Sequence, residues 1–142
     1  AMGEQQAYDL GWAYGLQMRR LVAFSLKGDQ ALPAQPKPAP PKIAEAPFIE
    51  VNDAIALKGQ DVYGQCSWCH GDTAISGGLA PDLRASPIVL SADAFAEVVR
   101  NGALRSRGMP SYANLSDEHL EMLRHFIRQQ AELSLESSDA GQ

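Results

Sequence analysis

The only two cysteines of the 142-residue chain stand three positions apart, with a histidine directly after the second: Cys66-Ser67-Trp68-Cys69-His70. Two thiols on one helical turn can reach the two vinyl groups along one edge of a porphyrin. The histidine is then carried beneath the ring, where an imidazole nitrogen can bind iron. This C-x-x-C-H spacing is the attachment signature of a c-type haem. Two other readings compete with it. A dithiol redox pair needs a thioredoxin-like βαβ frame, and the surrounding pattern is helical. A zinc site wants four ligands, and His119 and His125, six apart on one helix, converge poorly with the cysteines.

The pattern around the motif explains why a large cofactor is needed. Ile55, Gly59, Val62 and Cys66 fall at helical spacing, predicting a first helix that ends near Gly64. Ser91 is placed to cap a second helix, with Phe95, Val98 and Val99 on one face and Asn101-Gly102 as its stop. Ser116 caps a third, with Asp117 and Glu118 at the positive end of its dipole and Leu120, Leu123 and Ile127 as its apolar stripe. Residues 71–90 and 102–115 between these helices hold most of the remaining glycine and proline. A domain of about 85 residues buries only ~60–65% of its unfolded surface, and two such loops would ordinarily count against it. A covalent apolar ring filling the core between them resolves the discrepancy.

Iron held on one side by His70 needs a second ligand or an open face. Met109, in Gly108-Met109-Pro110, lies thirty-nine residues beyond His70 on the loop before the last helix. Glycine and proline around it keep the backbone non-helical, so the thioether can point at a metal instead of joining an apolar stripe. His/Met ligation raises the reduction potential and suits electron transfer. The competing readings are Met109 as core filler, as we read Met122, or a five-coordinate or bis-histidine centre using His119 or His125.

Proline divides the rest of the chain. Six of the nine prolines lie within residues 33–47, a stretch that favours polyproline II and reads as a semi-rigid tether reaching roughly 45 Å when extended. Ahead of it, residues 1–3 read as a tag remnant. Residues 20–26 make a strand candidate closed by Lys27-Gly28-Asp29, and a lone strand must pack on another chain, an upstream domain or the surface of the following domain. The haem domain is expected over 48–133, and a disordered tail over 134–142. Twelve Lys and Arg against 17 Asp and Glu leave a net charge of −5, with no basic footprint for nucleic acid. No apolar run approaches the ~18 residues of a membrane span, and no signal peptide opens the chain.

The order of helix, Cys66-to-Gly71 motif, Gly78-Leu79-Ala80-Pro81-Asp82-Leu83-Arg84, middle helix, Gly108-Met109-Pro110 and final helix resembles class I cytochrome c over about residues 48–132. The resemblance implies an all-α fold of three to five helices wrapped round one covalent haem. It implies that the Pro81 carbonyl accepts a hydrogen bond from the second nitrogen of His70, fixing tautomer and ring orientation; a plain turn proline is the alternative. It also implies that Gly59, Tyr63 and Phe126 pack the first helix against the last.

More narrowly, residues 81–86, 98–102 and 108–112 are similar to the carboxy-terminal cytochrome domain of quinohaemoprotein alcohol dehydrogenases. In that family a proline-rich linker joins a pyrroloquinoline-quinone propeller to the cytochrome. Residues 4–32 are then a remnant of the propeller, and the quinone and its calcium belong to an upstream domain outside this chain. The resemblance implies periplasmic transfer of single electrons from the dehydrogenase domain to a soluble copper protein, a cytochrome or a quinone, with no alcohol oxidation by this chain alone. A stand-alone periplasmic carrier and a zinc-binding interaction module are the alternatives. Arg84 matches a propionate-binding position, which a solvated arginine would equally explain. Tyr112 is expected to brace the methionine loop or to bond a propionate, Trp68 to cover the haem edge, and Arg105 and Arg107 to face solvent, where they would help a partner dock.

Overall fold

A computed structural model of the chain describes residues 41–139 continuously and, before them, residues 14, 21, 23–31, 34 and 39. Among the described residues four helices follow in order: α1, Asp53–Tyr63; α2, the single turn Ser67–His70; α3, Ala92–Val99; and α4, Asp117–Asp139. Short 3-10 turns at Leu83–Ala85, Pro87–Leu90 and Arg105–Arg107 punctuate the loops between them. No strand is found among the described residues.

Each long helix begins where its capping chemistry places it. The Asn52 side chain accepts from the Ile55 amide at 3.1 Å, and Asp53 sits in the first turn of α1. Ser91 does the same for α3, accepting from Ala94 N at 3.3 Å. At α4 the cap is reciprocal: Ser116 Oγ accepts from His119 N, while Ser116 N donates to His119 Nδ1 at 3.3 Å. A histidine thus fills the role that glutamate usually plays in a capping box.

The core gathers Tyr63 from α1, Phe95 and Val99 from α3, Leu120, Leu123, Phe126 and Ile127 from α4, with Ala74, Val89 and Leu115 from the loops. The largest interface lies between α1 and α4. Gly59 makes it possible. A Cβ at Gly59 would overlap the Met122 carbonyl and approach Phe126 Cβ to 2.9 Å, so the two helices touch backbone to backbone. One turn on, the Tyr63 and Phe126 rings meet with centroids 4.7 Å apart at 42°. The glycine and both aromatics expected at this crossing are there.

Three boundaries differ from expectation. The described residues of the 20–26 stretch form no strand: Leu21, Phe24 and Leu26 are almost fully exposed, and only the turn is present, Gly28 N donating to Ser25 O at 3.1 Å. Pairing, not alternation, makes a strand, and no neighbouring strand lies among the described residues. The final helix runs on to Asp139, through residues expected as tail, because no glycine or proline interrupts it before Gly141. The end of the proline-rich segment is docked: Ala46 is buried, and Arg128 donates to the Ala44 carbonyl at 2.7 Å. The expected domain limits at 1–3 and 4–32 fall largely outside the described residues.

Candidate haem-attachment site

α1 hands the chain directly to the motif. Cys66 N donates to Tyr63 O at 2.7 Å, and Ser67 Oγ to Gly64 O at 3.0 Å, so α2 starts as a tight continuation of α1. Within that turn His70 N donates to Cys66 O at 3.0 Å. Both cysteines are free thiols, Cys66 half-buried and Cys69 exposed, and His70 turns inward with 8% of its surface accessible. Gly71 then adopts φ +78°, a left-handed conformation that a side chain resists, and the chain reverses under the turn.

The reversal brings the loop back. Leu83 N donates to Ala74 O at 3.1 Å, and His70 Nδ1 lies 2.8 Å from the Pro81 carbonyl. A carbonyl only accepts, so Nδ1 carries the proton and Nε2 keeps its lone pair. Burial pushes the proton affinity of His70 below its ordinary value, against the smaller opposing pull of the Pro81 bond and Asp82. The ring is therefore a neutral, oriented nitrogen donor. The expected partner of the histidine is in place.

The environment of the motif is a poor one for redox exchange. Burial, and secondarily Cys69, pushes the Cys66 thiol up to about 11. A reactive dithiol needs its thiolate stabilised, and this environment does the opposite. The methionine loop meets the same core. Gly108, at φ +96°, closes the turn Arg105–Arg107, and Met109 N donates to Leu104 O at 3.3 Å. Tyr112 N donates to Val99 O at 2.8 Å, and its hydroxyl reaches Gln65 O, beside Cys66, at 3.5 Å. Burial raises the Tyr112 pKa, and both thiols lie within electrostatic reach of the phenol. Val62, Cys66, Leu83, Met109 and Tyr112 all lie half-buried against the common core. A free imidazole nitrogen, two unpaired thiols and a half-covered apolar wall fit a covalent haem, with Met109 packed against the same core.

Residues 54–127, just over half of the chain, match the protein family described as "Cytochrome C oxidase, cbb3-type, subunit III". The chain belongs to this family of cytochrome c domains. As a cytochrome c domain it has covalent haem c as its cofactor and electron transfer as its chemistry. It is 40% identical over 111 residues to the quinohemoprotein alcohol dehydrogenase ADH IIB of Pseudomonas putida, an alignment covering 76% of the chain and 16% of that protein. To the dehydrogenase subunit of a quinone alcohol dehydrogenase from Gluconobacter oxydans it is 37% identical over 123 residues, 85% of the chain and 16% of the subunit. To cytochrome c550 of Pseudomonas aeruginosa it is 42% identical over 86 residues, 57% of the chain and 59% of that protein. The chain thus spans about a sixth of the length of the dehydrogenases it matches.

The remaining residues of the cytochrome domain divide clearly. Trp68, expected as a cover for the haem edge, is 87% exposed. Arg105 and Arg107 face solvent as expected. Arg84, for which a propionate role is expected, is buried and donates to Asp82 and to Ser134 of α4. His119 caps α4, and His125 accepts from Asn52 N at 3.1 Å, so both alternative histidines serve helix ends. Among the described residues no three of His, Cys, Asp and Glu gather as a metal site, which removes the geometric basis for the zinc reading. The sequence reading passed over Asp82 and Ser134. The Asp82-x-Arg84 spacing on a 3-10 turn was a usable signal for the first, and nothing local marks the second.

Proposed function

We propose that the domain carries one haem c through Cys66 and Cys69, with iron held by His70 Nε2 and the Met109 thioether, and relays single electrons. The observation that supports this best is the 2.8 Å contact between His70 Nδ1 and the Pro81 carbonyl, which leaves one nitrogen free and aimed. When bound, the haem supplies a one-electron couple. The chain's own residues would do the rest: Pro81 orients the imidazole, the Met109 sulfur would be the second protein ligand and favour the reduced state, and the apolar wall would keep water away. Held by two side chains, the group would serve electron transfer and not chemistry on a bound substrate.

In this reading the electrons come from a quinone-dependent alcohol dehydrogenase domain, as the names of the relatives suggest. The proline-rich segment serves as the tether, and residues 4–32 as the remnant of that upstream domain, where pyrroloquinoline quinone and calcium would reside. A soluble copper protein, a cytochrome or a quinone accepts the electrons, and the compartment is the periplasm. No helix among the described residues is long and apolar enough to cross a membrane. A stand-alone carrier is the second reading, favoured by the cytochrome c550 match, in which the aligned region is 59% of that protein.

Two measurements test the proposal. The near-red methionine-to-ferric-iron band should be present in the oxidised protein and absent in Met109→Ala; its persistence in the variant would remove Met109 from the iron. Stopped-flow mixing of the oxidised protein with the dehydrogenase part, its quinone first reduced by alcohol, should reduce the haem as the quinone is reoxidised, and failure to do so would favour the stand-alone carrier.

A further inference from the structure

Pro81 presents its carbonyl from a loop with few regular hydrogen bonds of its own, yet that carbonyl must hold one direction for His70 to keep its orientation. The residue immediately after it is locked. Asp82 Oδ1 accepts from the amide and from Nε of Arg84, each at 3.1 Å, and Oδ2 accepts from the same guanidinium at 2.8 Å. The two side chains are only 4% and 9% exposed. A third arm of Arg84 donates at 2.7 Å to Ser134 Oγ, whose hydroxyl in turn donates to Gln130 O at 2.8 Å within α4. The Arg84 carbonyl accepts from Ala44 N at 3.4 Å. The link of the loop nearest to Pro81 is therefore bolted to the longest helix of the domain.

A buried ion pair is a poor way to gain stability, because apolar residues of the same volume commonly do as well; its attested use is to fix one arrangement among several. Here the arrangement fixed is the position of residue 82, one peptide away from the acceptor of the His70 proton. We propose that Arg84 and Asp82, with Ser134 as their anchor, are positioning residues for the iron-binding histidine. The brace keeps the Pro81 carbonyl on His70 Nδ1–H, which sustains electron donation from Nε2 and favours ferric iron. This deepens the haem reading and rests on it.

The test uses the haem-loaded protein and two variants that keep net charge, Arg84→Lys and Ser134→Ala. Lysine preserves the charge but cannot make the two-pronged contact with Asp82. In the reduced, diamagnetic state, solvent exchange of the His70 Nδ1 proton is followed by NMR beside that of the Leu123 amide, which reports opening of the core. We expect the ring proton to exchange about tenfold faster in Arg84→Lys, the equivalent of one charge-assisted hydrogen bond, and several-fold faster in Ser134→Ala. The Leu123 amide should hold its rate, and the reduction potential should rise in both variants. Parallel acceleration of both protons, an unmoved ring proton or an unmoved potential would reduce the brace to ordinary packing and overturn the proposal. Should Arg84→Lys not mature, Ser134→Ala carries the same readouts. A haem-free parent protein would instead defeat the haem reading itself, so the two failures are distinguishable.

Discussion

The two loops that flank the attachment turn are held in different ways. On the histidine side, residues 71–86 are tied by side chains: His70 to Pro81, Ser76 to the Ala80 carbonyl and the Gly78 amide, and Asp82 to Arg84 and through it to Ser134. On the methionine side, residues 102–115 are held chiefly by backbone bonds, with Tyr112 making a long 3.5 Å contact and residues 105–108 exposed. Rigidity is thus concentrated where the motif demands a fixed tautomer. The methionine loop keeps a lighter hold, so under the proposed His/Met ligation Met109 would be the more exchangeable of the two ligands.

Substitutions sharpen that contrast, beginning with the largest effect. Arg84→Met leaves Asp82 buried without its counter-charge and should cost about 3–5 kcal/mol in denaturant unfolding of the haem protein. Its counterpart on the other loop, Arg105→Met, should stay within about 0.5 kcal/mol because the residue is exposed. Equal losses for the two arginines would break the comparison. Gly108→Ala comes next. Nothing stands within 4 Å of an added Cβ, so the cost is that of φ +96° alone, roughly 1–2 kcal/mol in the same assay. It should fall on the strength of methionine ligation, read from the near-red band, before it touches the histidine. Tyr112→Phe is the mildest: losing a 3.5 Å bond should change stability by under about 0.5 kcal/mol. A larger loss there would show the methionine loop to be as firmly fastened as the other.

How much of this was legible beforehand follows physical distance along the chain. The thiols and histidine were readable because one helical turn contains them, and the Gly59 crossing only through the resemblance to class I cytochrome c. The starts of the two later long helices were readable from Ser91 and Ser116 and the acidic residues after Ser116, whose capping chemistry is local; the Asn52 cap of the first emerged with the structure. The brace was not, since Ser134 lies fifty residues from Arg84 on a stretch that had faded from the apolar stripe. The 20–26 segment shows the opposite case: its apolar residues satisfy a local rule, but a strand depends on a partner, and none lies among the described residues. Arg84 was legible as a residue, but its protein partners were not: Asp82 supplies a buried carboxylate two residues away, and Ser134 lies beyond any local rule.

The most direct test of the account is the intact mass and visible spectrum of the protein purified from cells competent in cytochrome maturation. Red material whose mass exceeds that of the polypeptide by one haem, with the increment lost when both Cys66 and Cys69 are changed to serine, is the expected result. A colourless polypeptide at its bare mass would contradict it.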